Sequence, residues 1–182
     1  MGLKSTFGRN LLGTAAAVTA TAVAGGLATD PRSDWYEGLR KPAWQPPPQA
    51  FGLVWTPLYA LIAYAGARAL TAADTSARAA PAGERARDAA AWTGEAKPAR
   101  SGLIRALGVN LALNAAWTPL FFRARSPRLA LAEIALLNVS TLALVRRFAR
   151  VDRRAGLALL PYAAWTGFAT ALNGAIAARN PR

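Results

Sequence analysis

The sequence predicts an all-α membrane protein, a five-transmembrane-helix bundle, and three observations predict it. Of 182 residues, 53% are hydrophobic and only 17% are charged, an unusual balance for a water-soluble chain. Five runs carry no charge at all: 11–28, 53–67, 106–122, 134–145 and 155–178. Extended to their polar flanks, they approach the roughly 20 residues needed to cross ~30 Å of hydrocarbon. The arginines fall mostly between these runs, at 78–105, 123–128 and 146–154, where membrane-flanking charges belong. The chain therefore reads as a single domain, 1–182, with helices at about 8–29, 50–70, 102–122, 127–148 and 155–178 and a polar loop over 71–101.

The net charge of +13 raises nucleic-acid binding, because basic chains bind phosphate backbones. The arginines are distributed among loops rather than along one amphipathic face, so no nucleic-acid partner is expected. Cysteine and histidine are absent and the single methionine is the first residue. Disulfides, thiol catalysis, zinc sites and the usual axial ligands of haem iron are thereby excluded, and no metal site is expected.

The first apolar run follows Lys4 and Arg9. It is long for the apolar region of a secretory signal peptide, so it reads as a retained first helix rather than a leader cleaved after Ala22-Val23-Ala24. Gly13, Ala17, Thr21 and Gly25 recur every four residues, the small-residue spacing that lets helices approach closely in lipid. Next comes a loop containing Trp35, Tyr36 and Trp44, stiffened by Pro42, Pro46, Pro47 and Pro48, which deny a helix its donors. The second helix places Phe51, Trp55 and Tyr59 four apart on one face, with Pro57 expected to kink it. The loop and this aromatic face read as the lid and first wall of a ligand pocket.

In the third helix Asn110, Asn114, Trp117 and Phe121 share one side, suited to a polar-aromatic pocket. Gly108, Ala112 and Ala116 share the other side, suited to close helix contact within the bundle or across a homodimer. The fourth helix carries Glu133 about one turn from its start. Either it is a functional carboxylate or it pairs with Arg123, Arg125 or Arg128. The fifth aligns Tyr162, Trp165, Ala169, Leu172 and Asn173 in one stripe, with Pro161 expected to bend it. Trp55-Thr56-Pro57-Leu58-Tyr59 is nearly repeated as Trp117-Thr118-Pro119-Leu120-Phe121. Lys and Arg number fourteen on the side of the N-terminus and the second and fourth loops, against eight on the other. That places the N-terminus inside and the aromatic loop outside.

Four ordered motifs, WYEGLRKPAWQPP entering VWTPLY, NLALNAAWTPLFF, ALAE ending at Glu133, and PYAAWTGFATALN, make the chain resemble the TspO/MBR family. This is the family of translocator proteins, tryptophan-rich sensory proteins and peripheral-type benzodiazepine receptor homologues. The resemblance spans about residues 35–180. It implies a multi-pass, often dimeric bundle in a cell membrane, bacterial here, with a pocket beneath the first loop that binds porphyrins such as protoporphyrin IX or haem. By matching position the lining would be Trp35, Tyr36, Trp44, Trp55, Asn110, Asn114, Trp117, Trp165, Ala169 and Leu172. The porphyrin is a ligand, and no cofactor is required.

Stacking on aromatic faces would hold such a ring, and the asparagines, Tyr and Trp N–H groups and the Arg and Lys of the first loop would satisfy its propionates. The implied partners are a porphyrin-type small molecule, membrane lipid and a second copy of the chain through Gly108, Ala112 and Ala116. The implied role is a receptor or sensor regulating porphyrin or stress-related metabolism. The alternatives are light- and oxygen-dependent porphyrin breakdown using Trp165, then Trp35 or Trp44, and facilitated transport. In animal members the final LN motif continues with a tyrosine and then a basic residue. Here Gly174 and Ala175 follow Leu172-Asn173, so sterol recognition is not implied.

Overall fold

The computed structural model describes residues 3–79 and 99–181. Among the described residues seven α-helices are formed: α1 (Leu3–Ala28), α2 (Asp34–Glu37), α3 (Pro48–Ala79), α4 (Ala99–Thr118), α5 (Pro127–Val151), α6 (Arg153–Ala158) and α7 (Leu160–Arg179). A π-helical turn, Pro119–Arg123, follows α4 directly. Among the described residues four segments are long and apolar enough to cross a membrane: Lys4–Ala28, Pro48–Ala79, Pro127–Val151 and Arg153–Arg179. The fifth member of the bundle, α4, falls short of that standard. The reason is physical: its asparagines lower its hydropathy, and they are turned inward, Asn110 and Asn114 both being buried.

Several expected boundaries are corrected. The second long helix does not end near residue 70 but continues to Ala79, so the first part of the supposed polar loop 71–101 is helical. Its end is helical too, because α4 begins at Ala99; residues 80–98 lie outside the described residues. Polar side chains of two neighbouring helices hold the extension of α3. Asn10 Nδ2 of α1 donates to Thr71 Oγ1 at 3.1 Å and to Asp74 Oδ2 at 3.0 Å. Arg100 of α4 pairs with Asp74 at 2.8 Å.

The prolines behave differently from one another. Pro57 sits within a continuous α3. Pro161 does not bend the middle of a helix; it stands in the first turn of α7, after a break at Leu159 that separates α6. Pro119 opens the π turn, whose wider ring is closed by Ala124 N–H donating to Pro119 O at 2.9 Å.

The bundle is apolar outside as well as inside. Leu12, Leu27 and Leu53 are each about three-quarters exposed, as lipid-facing side chains should be. Helix α1 packs on α3 and α4, α4 on α5, α5 on α7, and α6 on α5 and α3. The face α1 presents to its neighbours is Thr6, Asn10, Thr14, Val18 and Thr21. Of the expected small-residue seam, Gly13 and Ala17 instead face outward. The close approach comes from α3, where a methyl at Gly66 would lie 2.8 Å from Thr14 Cγ2. Thr14 Oγ1 also donates to Ala63 O across the same contact at 2.8 Å.

Two contacts fix the turn between α5 and α6. A methyl at Gly156 would lie 2.5 Å from Ala149 Cβ and 2.8 Å from Ala149 Cα, so the backbones meet where only hydrogen fits. Asp152 accepts from Arg154 N–H at 2.8 Å and Ala155 N–H at 3.3 Å, capping α6. It also accepts from Arg68 Nη2 of α3 at 2.6 Å. Burial pushes the Asp152 carboxyl up, but the hydrogen bonds from Arg68 and the two amides outweigh it and hold the carboxyl below its ordinary value.

Two outcomes follow for this end of the bundle. Gly156→Ala should lower stability by about 2 kcal/mol, the cost of forcing a methyl against backbone; an unchanged melting temperature in detergent would contradict the contact. The folded Asp152 titrates below its unfolded value near 4, so its contribution is complete above about pH 5 and fades as pH falls through the lowered folded value. Arg68→Met should therefore cost about 1 kcal/mol near neutrality. It should also flatten the fall in melting temperature between about pH 5 and pH 3, read as the difference from the parent protein.

Candidate functional site

The upper half of the bundle encloses a cavity of about 620 Å³ between α1, the first loop, α3, α4 with its π turn, α5 and α7. Eight aromatic residues line it: Tyr36, Phe51, Trp55, Tyr59, Trp117, Phe121, Phe122 and Trp165. Their rings meet in three groups: Tyr36, Trp117, Phe121 and Phe122; Phe51 and Trp165; and Trp55 and Tyr59. Trp55 stacks on Tyr59 at 5.0 Å between centroids, Trp117 stacks on Phe121 at 5.0 Å, and Phe51 meets Trp165 edge-on at 5.9 Å. Helical spacing produces the two stacked pairs, since residues four apart lie one above the other.

The floor is a ladder of hydrogen bonds crossing four helices. Tyr59 Oη of α3 donates to Asn114 Oδ1 of α4 at 3.1 Å. Asn114 Nδ2 donates to Tyr162 Oη of α7 at 3.2 Å. Tyr162 Oη donates to Asn110 Oδ1 at 3.1 Å. Asn110 Nδ2 donates to Thr141 Oγ1 of α5 at 2.9 Å. Beside it, Trp117 Nε1 donates to Asn173 Oδ1 at 3.0 Å, and Asn173 Nδ2 donates to Pro127 O at 2.7 Å. Unpaired polar groups at this depth are costly, and these side chains are satisfied by neighbouring helices.

The lid is α2 and the loop after it. Tyr36 packs against Phe121 at 6.2 Å and Phe122 at 5.3 Å, and Gln45 Nε2 donates to Tyr36 Oη at 3.2 Å. Burial pushes the Tyr36 phenol up, and the Gln45 hydrogen bond draws it partly back. Asn180 clasps the lid from the end of α7: its Oδ1 accepts from Arg40 N–H and its Nδ2 donates to Arg40 O, both at 3.0 Å.

Of the expected lining, Tyr36, Trp55, Asn114, Trp117, Trp165, Ala169 and Leu172 come together on the wall. Three residues stand elsewhere. Trp35 lies behind the wall, edge-on to Phe121 at 5.5 Å. Trp44 is half-exposed and rests on Phe168. Asn110 is fully buried within the floor and does not reach the wall. The Arg and Lys expected to meet propionates do not reach the wall; Lys41 lies over the Tyr36 ring, 4.4 Å from its centroid, and donates to Glu37 O.

Glu133 is buried with neither carboxylate oxygen hydrogen-bonded. The two ion pairs among the described residues are Arg68–Asp152 and Arg100–Asp74. The expected pairing of Glu133 with Arg123, Arg125 or Arg128 is therefore not formed, and Arg123 instead donates to Leu27 O at 3.2 Å. The Gly108 and Ala112 face is exposed on the single chain, with no side chain near Gly108. Sequence reasoning missed the wall supplied by α1 and the turn after it, namely Ala22, Gly25, Gly26, Thr29 and Pro31. These small residues carry no chemical signal, and only their place beside the cavity marks them.

An aromatic cavity closed by a proline-rich lid and floored by an interhelical polar ladder thus lies within a multi-pass membrane bundle. The model of the TspO/MBR family matches residues 14–179, and the chain belongs to that family. The tryptophan-rich protein TspO of Chlorobaculum tepidum is 32% identical over 151 residues, covering 83% of this chain and 82% of that protein. The tryptophan-rich sensory protein of Cereibacter sphaeroides is 32% identical over 141 residues, 77% of this chain and 73% of its own. Human translocator protein is 33% identical over 141 residues, 76% and 70% respectively.

Tyr162→Phe removes the hydroxyl that joins two asparagines and leaves buried amide groups unpaired, which costs about 1–3 kcal/mol. Thermal unfolding in detergent should move down by several degrees relative to Tyr64→Phe, whose hydroxyl accepts only from Arg68 at the exposed edge. Equal melting temperatures for the two variants would argue that the ladder contributes nothing.

Proposed function

We propose that the protein is a receptor or sensor in a bacterial cell membrane that binds a tetrapyrrole, a porphyrin such as protoporphyrin IX or haem, and thereby regulates porphyrin or stress-related metabolism. The observation that carries this reading is the cavity: about 620 Å³ walled by eight aromatic residues. A porphyrin is a broad, flat, apolar ring, and aromatic faces stack on such rings while excluding water. The lid supplies the means of reporting occupancy. Tyr36 touches both the cavity and the π turn, so a guest that shifts the ring shifts α2 as well. The face of exposed Gly108 and Ala112 and half-buried Ala116 would receive a second copy of the chain.

One observation favours a second reading, light- and oxygen-dependent breakdown of the bound porphyrin. Trp165 lies on the cavity wall, where an oxidisable indole would meet the ring, whereas Trp35 and Trp44 lie off it. Illuminated protein that alters the porphyrin absorption spectrum no faster than free porphyrin would remove this reading.

Binding is tested by titrating protoporphyrin IX against tryptophan fluorescence in detergent. Saturable quenching is expected, with affinity falling by roughly twofold to tenfold in Trp165→Phe and Asn114→Ala, the span of one aromatic or hydrogen-bonding contact. Unchanged affinity in both variants would overturn the site.

A further inference from the structure

A porphyrin carries acidic arms as well as an apolar ring, and the aromatic wall answers only the ring. A carboxylate taken out of water needs a cation or several donors. The wall itself holds no Lys or Arg, and on the lid Lys41 lies over the Tyr36 ring and donates to Glu37 O. A cation does stand at the mouth, on the π turn. We propose that Arg123 binds the carboxylate of an amphipathic guest, whose flat apolar body fills the cavity while its acidic arm reaches the rim between the π turn and the end of α1. The ligand class is a polycyclic aromatic acid. The inference rests on the proposed tetrapyrrole function for its porphyrin example and adds the residue that reads the acid group.

Two lining segments meet at Arg123. It follows Phe121 and Phe122 directly, and its Nη2 donates at 3.2 Å to Leu27 O, next to Gly25 and Gly26; all four of these neighbours line the cavity. Leu27 belongs to the last turn of α1, where carbonyls lack helical partners and carry partial negative charge. This carbonyl positions the guanidinium without neutralising it. A guanidinium presents five N–H donors in a planar fork, and one is spent here. The two ion pairs among the described residues are Arg68–Asp152 and Arg100–Asp74, so Asp30, three residues beyond Leu27, does not neutralise Arg123. The exposed remainder of the fork has the shape that receives a carboxylate.

Donors continue from the rim into the cavity. Thr118 lines the wall below the π turn, with its hydroxyl against α1: a methyl at Gly25 would lie 3.5 Å from Thr118 Oγ1. That hydroxyl has no hydrogen-bond partner among the described residues. Deeper still, Trp55 and Trp165 line the cavity with indole N–H groups that are likewise unspent. The edge between α1 and α3, formed by Gly26, Thr29, Pro31, Gly52 and Thr56, is exposed and bears no carboxylate to compete for Arg123.

The test uses two pairs of ligands in the full-length protein at pH 8, each corrected for partition into empty micelles. The pairs are protoporphyrin IX with its dimethyl ester, and 1-pyrenebutyrate with 1-pyrenemethanol, read by quenching of or energy transfer from tryptophan. Arg123→Gln keeps an amide donor and removes the charge; it should weaken both acids by about fivefold, the worth of one charge-assisted contact at a wet rim, and leave the neutral partners within about twofold. Arg123→Glu should weaken the acids by more than about tenfold. Arg128→Gln, also exposed, should change neither pair.

Acids that bind the Arg123 variants as tightly as the parent would overturn the proposal. So would equal losses for acid and neutral partner, which mark Arg123 as a cap of α1 alone, or an equal effect of Arg128→Gln, which marks a diffuse field. Porphyrin binding indifferent to Arg123 would remove the anchor and keep the tetrapyrrole reading. Binding of 1-pyrenebutyrate that depends on Arg123, with neither porphyrin bound, would keep the anchor and remove that reading; failure of all four ligands to bind would overturn both.

Discussion

A polar group deep in a membrane bundle is costly to leave unpaired, and the core asparagines and tyrosines find partners on other helices, with Glu133 the exception. The ladder from Tyr59 through Asn114, Tyr162 and Asn110 to Thr141 is the outcome of that constraint. Each rung contributes modestly, about 1 kcal/mol, but a broken rung leaves a buried group unpaired and costs more than the rung supplied. The arrangement of α3, α4, α5 and α7 around one point is therefore set by geometry that tolerates little drift. The cavity exists because this floor is fixed beneath it.

Packing differs above and below that floor. Below it, α3 is built of small residues, with Ala63, Ala65, Gly66, Ala67, Ala69 and Ala73 all buried, and neighbouring helices close on it until Thr14 and Leu107 fill the space a Gly66 side chain would need. Above it, the same helix carries Phe51, Trp55 and Tyr59. Rigid rings set edge-on or stacked leave space that flexible side chains would have filled, so the change from alanine to aromatic along α3 creates a chamber over a tightly closed base. The ion pair and cap at Asp152 and the Asn10–Asp74–Arg100 cluster secure the closed end.

The all-helical membrane bundle and the aromatic stripes of α3, α4 and α7 were legible because hydrophobic runs and four-residue spacing are local properties. Other features depend on partners distant in the chain. The last nine residues of α3 look like loop until Asp74 is seen between Asn10 and Arg100. The pentapeptides around Pro57 and Pro119 are nearly alike, yet one stays α-helical and the other opens a π turn, because their surroundings differ. Trp44 has the composition of a wall residue but sits half-exposed on Phe168, and the glycines at the end of α1 contribute by occupying no space. Glu133 reads as an ion-pair member beside three arginines along the chain, whereas helix direction carries it into the bundle away from them.

The π turn at Pro119–Arg123 fits one more residue into its hydrogen-bonded ring than an α turn does. Phe121 and Phe122, adjacent in sequence, consequently both reach Tyr36 of the lid. In evolutionary terms the distance from Trp117 to the Ser126 cap of α5 is a fixed length rather than a tolerant linker. Deleting one residue would turn the segment back into plain α-helix, rotate one phenylalanine off the lid and carry every later position of α5 around by about 100°. Insertions and deletions should therefore be purged here, even though the segment joins two helices.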